Sequence, residues 1–217
     1  MISYPSVVRV AILDDHPTSS LGMATYLVKK VGCEIIASES SVVRFMSFIQ
    51  PGRLDVALID LLSLARSGGE ICAIKRRCPG LRVVATSSSS FELARIASFN
   101  AGADEFYGKN ESADRLAEVI LRVARSSPSV DLMGGVKFNG LSKCEIEVLL
   151  ACLEGASISE IAHRKNRSIK TVSRQKRLAY QKLGIASDFD LFRDRWLFRL
   201  SRLFEGNLAA SDHAALK

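Results

Sequence analysis

The chain has 217 residues, 47% hydrophobic and 24% charged, with a formal net charge of +7. These values exclude a wholly disordered chain and leave room for one large or two small domains, each able to bury a core. No run of about 18 apolar residues suggests a membrane span, and the start lacks the charged leader and long apolar core of a signal peptide. Cys33, Cys72, Cys78, Cys144 and Cys152 form no C-x-x-C pair. They read as reduced, largely buried small hydrophobes in a cytoplasmic protein, with neither a disulfide framework nor a zinc site expected.

Ser6–Leu13 is a short apolar run ending in Asp14-Asp15, the pattern of a buried strand with two carboxylates at its carboxyl end. Pro17 suits a helix start, and the helix continues over Thr18–Lys30. Cys33–Ala37 reads as a second strand and Val42–Ile49 as a second helix. Pro51-Gly52 marks a turn into Leu54–Ile59, a third strand again ending in an acid, Asp60. The loop Leu61–Gly69 leads to a helix over Glu70–Arg77. A fourth strand over Leu81–Thr86 ends in four serines, Ser87 to Ser90. A helix over Phe91–Asn100 is closed by Gly102. The fifth strand is Glu105–Gly108, followed by Lys109. Ala113–Arg125 is an amphipathic helix with Leu116, Ile120 and Val123 on one side.

Five alternations of strand and helix predict an α/β unit with a doubly wound five-stranded parallel sheet. In such sheets ligands gather at the carboxyl ends of the strands, which here carry Asp14, Asp15, Asp60, Ser87 and Lys109. Three carboxylates can hold Mg²⁺ through hard oxygen ligands. Asp60 is then a nucleophile able to accept a phosphoryl group, the metal offsetting charge on the transferring oxygens. The Lys109 ammonium can pair with the phosphate and the Ser87 hydroxyl can donate to it.

This constellation resembles the receiver domain of two-component response regulators over roughly residues 7–126. The resemblance implies that Asp14, Asp15 and Asp60 bind Mg²⁺ and that Asp60 is the phosphoacceptor. It also implies a phosphate switch of Ser87, Phe106 and Lys109, with Phe106 lacking a tyrosine hydroxyl. Ser87 lies fifteen residues before Gly102, the family's usual spacing, which selects it over Thr86. The loop LLSLARSGGE departs from the family by lacking the usual proline after the acceptor.

Residues 127–140 are Ser/Gly-rich and read as a linker, before a second domain over 141–204 and a tail over 205–217. The charge follows this division: residues 1–136 carry 15 Lys/Arg against 14 Asp/Glu, residues 137–217 carry 15 against 9. Ser142 with Glu145, and Ser157 with Glu160, are capping boxes. Ser168 caps a third helix that Gly184 stops. Val172, Ala179 and Leu183 share one side of that helix; Lys170, Arg174, Arg177 and Gln181 share the other. From His163 to Ser187 there is no acidic residue. Helix, short helix, turn and basic helix form a helix-turn-helix, and one-sign charge on a helix of major-groove width points to double-stranded DNA.

The run from Leu141 to Leu191 resembles the LuxR/NarL type of DNA-binding domain, and its NRSIKTVSRQK stretch is closest to the capsule-synthesis regulators. The DNA-binding candidates are Arg167, Lys170, Thr171, Ser173, Arg174, Lys176, Arg177 and Lys182. Arg174 and Arg177 are expected at base edges, with Arg167 and Lys182 adding non-specific affinity. Asp188–Phe204 reads as a further helix with Phe189, Phe192, Trp196, Leu200 and Leu203 in one stripe, suited to a partner helix. His16, His163 and His213 are dispersed and receive no metal role.

The reading is a phosphoacceptor transcription regulator, not an enzyme. The resemblance implies a histidine kinase or phosphotransfer protein as partner, and DNA binding as a homodimer or heterodimer. The alternative is a phosphorylation-independent DNA binder whose receiver serves for dimerisation or partner binding.

Overall fold

The computed structural model describes residues 7–64, 70–89, 91–126, 141–193 and 195. Its first unit is one parallel sheet in the order β2-β1-β3-β4-β5. The strands are β1 (Arg9–Leu13), β2 (Glu34–Glu39), β3 (Val56–Asp60), β4 (Arg82–Ser87) and β5 (Glu105–Gly108). Between and after them run α1 (Pro17–Val31), α2 (Val42–Phe48), α3 (Glu70–Arg77), α4 (Phe91–Asn100) and α5 (Ala113–Arg125). The doubly wound sheet is the expected one.

Two strand ends differ from the sequence expectation in a way that matters. β3 extends to include Asp60 and β4 to include Ser87, because ladder pairing continues past the apolar runs: Asp60 pairs with Thr86, and Ser87 with Gly108. The site residues therefore start from strand backbone. Polar residues at a strand's end look like the start of a loop, so the sequence pattern places both ends one residue early.

Side chains alternate across the sheet. Val10, Ile12, Val56, Leu58 and Val84 pack with Leu27 of α1 and with Leu116 and Ile120 of α5. Ala11, Leu13, Ala57, Ile59, Val83 and Ala85 pack with Phe45 of α2, Ile71 of α3 and Leu93 of α4. Both faces are covered, so the strands read as continuous apolar runs rather than alternating ones.

The amino end of β4 holds a buried ion triad that the sequence reading passed over. Asp104 accepts from Lys75 Nζ at 2.6 Å, Arg82 at 3.0 Å and the backbone N–H of Val83 at 2.7 Å. Arg82 also donates to the carbonyl of Ser126, just past α5, at 2.7 Å.

The second unit contains α6 (Lys143–Leu153), α7 (Ile158–Arg164), α8 (Ile169–Leu183) and α9 (Asp188–Arg193). Both capping boxes are formed, and Ser168 Oγ accepts the Thr171 N–H at 3.1 Å. Asn166, in the left-handed region at φ 47°, makes the turn between α7 and α8. Val148, Leu149, Ile161, Val172, Ala179, Leu183 and Leu191 are among the buried residues of this unit. α8 packs on α6 and α7 and also touches α4. The proposed linker, the tail, Trp196, Leu200 and Leu203 lie outside the described residues, as do residues 65–69 and Ser90. Among the described residues no helix is long and apolar enough to cross a membrane.

The triad generates a test. The Lys75 and Arg82 side chains are only 8% and 6% exposed, so Asp104→Ala leaves two buried cations without their counter-ion. The expected loss is about 3–5 kcal/mol of stability, read by urea denaturation. An effect below about 1 kcal/mol would show that water reaches the cluster.

Candidate functional site

β1 and β3 are adjacent, so their carboxyl ends bring Asp14 and Asp60 together. Both are buried, at 1% and 2% exposure, while Asp15 is exposed. Lys109 follows β5 and places Nζ 2.7 Å from Asp60 Oδ1 and 2.9 Å from Asp14 Oδ2. Its backbone N–H donates to the Ser87 carbonyl at 2.9 Å, which fixes the lysine to the end of β4. Asp60 Oδ2 accepts from the Ser63 N–H at 3.3 Å, and the Ser63 hydroxyl accepts from the Asp15 N–H at 3.2 Å. Asp14 Oδ1 accepts from the His16 N–H at 2.9 Å.

The electrostatics separate the two buried acids. Burial pushes the Asp14 carboxyl up, but Lys109, the His16 N–H and the Ser19 hydroxyl together hold it below its ordinary value. For Asp60 burial wins: the carboxyl is raised although Lys109 and Ser63 oppose the shift. Burial works against the Lys109 ammonium, yet its bonds to Asp60 and Asp14 raise its pKa.

Asp14, Asp15 and Asp60, with His16, offer ligand atoms within 4.8 Å of one another. One ammonium cannot offset three carboxylates. Asp14 Oδ2 is buried and accepts no well-aligned hydrogen bond, although Lys109 Nζ lies 2.9 Å away. A hard oxygen set with excess negative charge fits a divalent cation such as Mg²⁺. His16, given no metal role from sequence, stands beside these acids: its Nδ1 lies 2.9 Å from Asp15 Oδ1. Its adjacency to the acid pair was the available signal. Ser87 and Phe106 are buried on β4 and β5 beside this rim.

The second constellation is α8. Val172, Ala179, Tyr180 and Leu183 face inward. Lys170, Thr171, Ser173, Arg174 and Arg177 are exposed, as is Arg167 just before the helix. Two of the expected cations are committed elsewhere. Lys176 pairs with Asp188 at 2.6 Å, and Lys182 pairs with Glu145 at 2.8 Å. Sequence spacing on one helix could not reveal either, since both partners come from other segments. Among the described residues no side-chain ion pair engages Arg167, Lys170, Arg174 or Arg177. On α9, Leu191 is buried whereas Phe189 and Phe192 are 72% and 42% exposed, so the two phenylalanines of the expected stripe face outward.

A five-stranded sheet with this acid rim, joined to a helix-turn-helix, is the architecture of a two-domain response regulator. Residues 139–193 match the family model of bacterial regulatory proteins, luxR family. The chain is 25% identical over 177 residues to the response regulator protein VraR of Staphylococcus aureus, covering 76% of this chain and 85% of that protein. It is 54% identical over 57 residues to the HTH-type transcriptional regulator YuaB of Escherichia coli, a match spanning 26% of this chain and only 16% of YuaB. Among solved structures, RcsB of Salmonella enterica serovar Typhimurium, bound to the rprA promoter in the presence of phosphomimetic BeF3-, superposes with a TM-score of 0.63. The two are 25% identical, with 88% of this chain and 98% of that chain covered.

The Glu145–Lys182 pair generates a test. Burial raises the Glu145 carboxyl, but Lys182 and Ser142 outweigh it and hold the group below its ordinary value. A depressed folded pKa contributes stability above the unfolded pKa, and that contribution is lost as pH falls through the folded one. Lys182→Met is expected to cost about 1–2 kcal/mol at neutral pH, discounted because the lysine is partly exposed. The difference from wild type should shrink toward about pH 3. Denaturation at both pH values measures it; a constant difference would mean that packing of the lysine stem is responsible.

Proposed function

We propose that the chain is a phosphorylation-controlled transcription regulator, with a receiver over 1–126, a linker over 127–140 and a DNA-binding domain over 141–204. The observation that carries this reading is the pinning of one half-buried ammonium, Lys109, between Asp14 and Asp60 at the sheet's carboxyl edge. That arrangement is unrewarding as packing but suits a nucleophilic carboxylate awaiting a phosphoryl group.

Asp60 attacks the phosphorus of a histidine kinase, a phosphotransfer protein or a small phosphodonor. A P–O bond to Asp60 forms as the donor's P–N or P–O bond breaks, and the leaving group keeps that electron pair. Asp14, Asp15 and Asp60 would hold Mg²⁺, which when bound offsets charge on the phosphoryl oxygens. Lys109, freed from part of its pairing with Asp60, turns to the phosphoryl oxygens. Ser87 and Phe106, on the strands beside the rim, would carry the change toward α4.

α8 enters the DNA major groove with the face bearing Lys170, Ser173, Arg174 and Arg177. Lys170 and Thr171 serve backbone phosphates or the first bases, and Arg167 adds non-specific affinity. Lys176 and Lys182 contribute to the field of the helix while held in their ion pairs. RcsB is described as dimers on DNA, and by likeness this chain would bind paired half-sites as a dimer, with Phe189 and Phe192 available for the partner. The contact between α8 and α4 makes DNA affinity a readout of receiver state.

Acetyl phosphate with Mg²⁺ is expected to add one phosphoryl group, and Asp60→Asn to abolish it, by intact mass. Equal labelling of the variant would refute the assignment of Asp60. If Asp60→Asn labels nothing yet binds DNA with wild-type response to phosphodonor, the receiver works without phosphorylation. Arg174→Ala or Arg177→Ala should each cost about 1–3 kcal/mol on a selected site and much less on random duplex. Equal losses on both duplexes would make these arginines phosphate clamps.

A further inference from the structure

β4 ends in two hydroxyl side chains that face opposite ways. Val84 packs with α1 and α5, so Thr86, two residues on, takes that face; Ala85 packs with α2 to α4, so Ser87 takes the other. Asp60, two residues after Leu58, shares the face of Thr86 and is its register partner across the ladder. Asp14 follows Ile12 on the same face, and Tyr107 is the register partner of Thr86 on its other side. One row therefore crosses the sheet edge as Asp14, Asp60, Thr86, Tyr107. Neighbouring strands lie about 4.8 Å apart, so the Thr86 side chain stands one strand spacing from the Asp60 carboxylate.

An independent observation singles out this hydroxyl. Thr86 is 0% exposed, and among the described residues its Oγ1 has no hydrogen-bond partner. The other hydroxyls nearby are engaged: Tyr107 donates to the Glu111 carbonyl at 3.2 Å, and Ser87 Oγ accepts from the Ser89 N–H at 3.0 Å. A buried hydroxyl with nothing to bond is unfavourable and rare, and a valine of nearly the same shape would avoid the penalty. Such a group points to a ligand that arrives later.

We propose that Thr86 is a positioning residue for the phosphoryl group, its hydroxyl donating to a phosphoryl oxygen carried on Asp60. The inference rests on the reading of Asp60 as phosphoacceptor. It adds no covalent step: Thr86 forms only the hydrogen bond it lacks in the unmodified chain. Two hydroxyls, one on each face of β4, then report on the modification, where the family's spacing selects Ser87 alone.

The test is a titration of the full chain with beryllofluoride and Mg²⁺, a stand-in for the phosphoryl group, followed by fluorine NMR, beside thermal unfolding without ligand. Thr86→Val is expected to unfold at or above the wild-type Tm and to need roughly tenfold more beryllofluoride for half-saturation, the loss of one hydrogen bond. Thr86→Ser should stay within about threefold of wild type. A merely structural role would give the reverse, a lower Tm with unchanged half-saturation, and would overturn the proposal. So would unchanged binding by Thr86→Val while Ser87→Ala loses it. Should Thr86→Val fail to fold, Thr86→Ala supplies the same comparison. If wild type itself takes up no beryllofluoride, the phosphoacceptor reading falls first and this inference with it.

Discussion

Two buried carboxylates on adjacent strands cannot both stay ionised without a counter-charge, and the first unit is arranged around supplying it. The strand order puts β1 beside β3, which creates the problem by bringing Asp14 and Asp60 together. Lys109 answers it from the far side of β4, reaching across that strand's end to touch both acids. The lysine is tied down by its own backbone bond to Ser87. Small hydroxyl residues at the end of β4 leave room for this passage. Even so, the rim keeps an excess of negative charge, which is why it suits a metal ion and a phosphoryl group better than it suits the resting chain.

The second unit divides its cations by a similar economy. Glu145 closes the α6 capping box through the Ser142 N–H and also binds Lys182 near the end of α8. One carboxylate therefore fixes where one helix begins and how another lies against it. Asp188, at the start of α9, takes Lys176 and the Tyr180 hydroxyl in the same manner. What these pairs leave over is a face of α8 whose charges have no partner within the described protein, and that remainder is the part suited to a polyanion.

Local patterns made most of this legible in the sequence. Apolar runs ending in acids showed the strands and three of the rim residues; capping boxes at Ser142 and Ser157 showed the starts of α6 and α7. The failures share a cause, which is that each depended on partners distant in the chain. Lys182 looked like a free cation because Glu145 is 37 positions away. Asp104 carried no signal of its own because Lys75 and Arg82 come from α3 and β4. The place of Thr86 opposite Asp60 was hidden too, since only the ladder register shows it.

The bond from Arg82 to the Ser126 carbonyl has a mechanical consequence. β4 begins at that arginine and ends at Ser87. One strand thus touches the acid rim with one end and grips the point where the chain leaves the first unit with the other, about 17 Å away along the strand at 3.3 Å per residue. A displacement at the rim that slid or tilted β4 would be delivered directly to the root of the connecting segment, without passing through any helix.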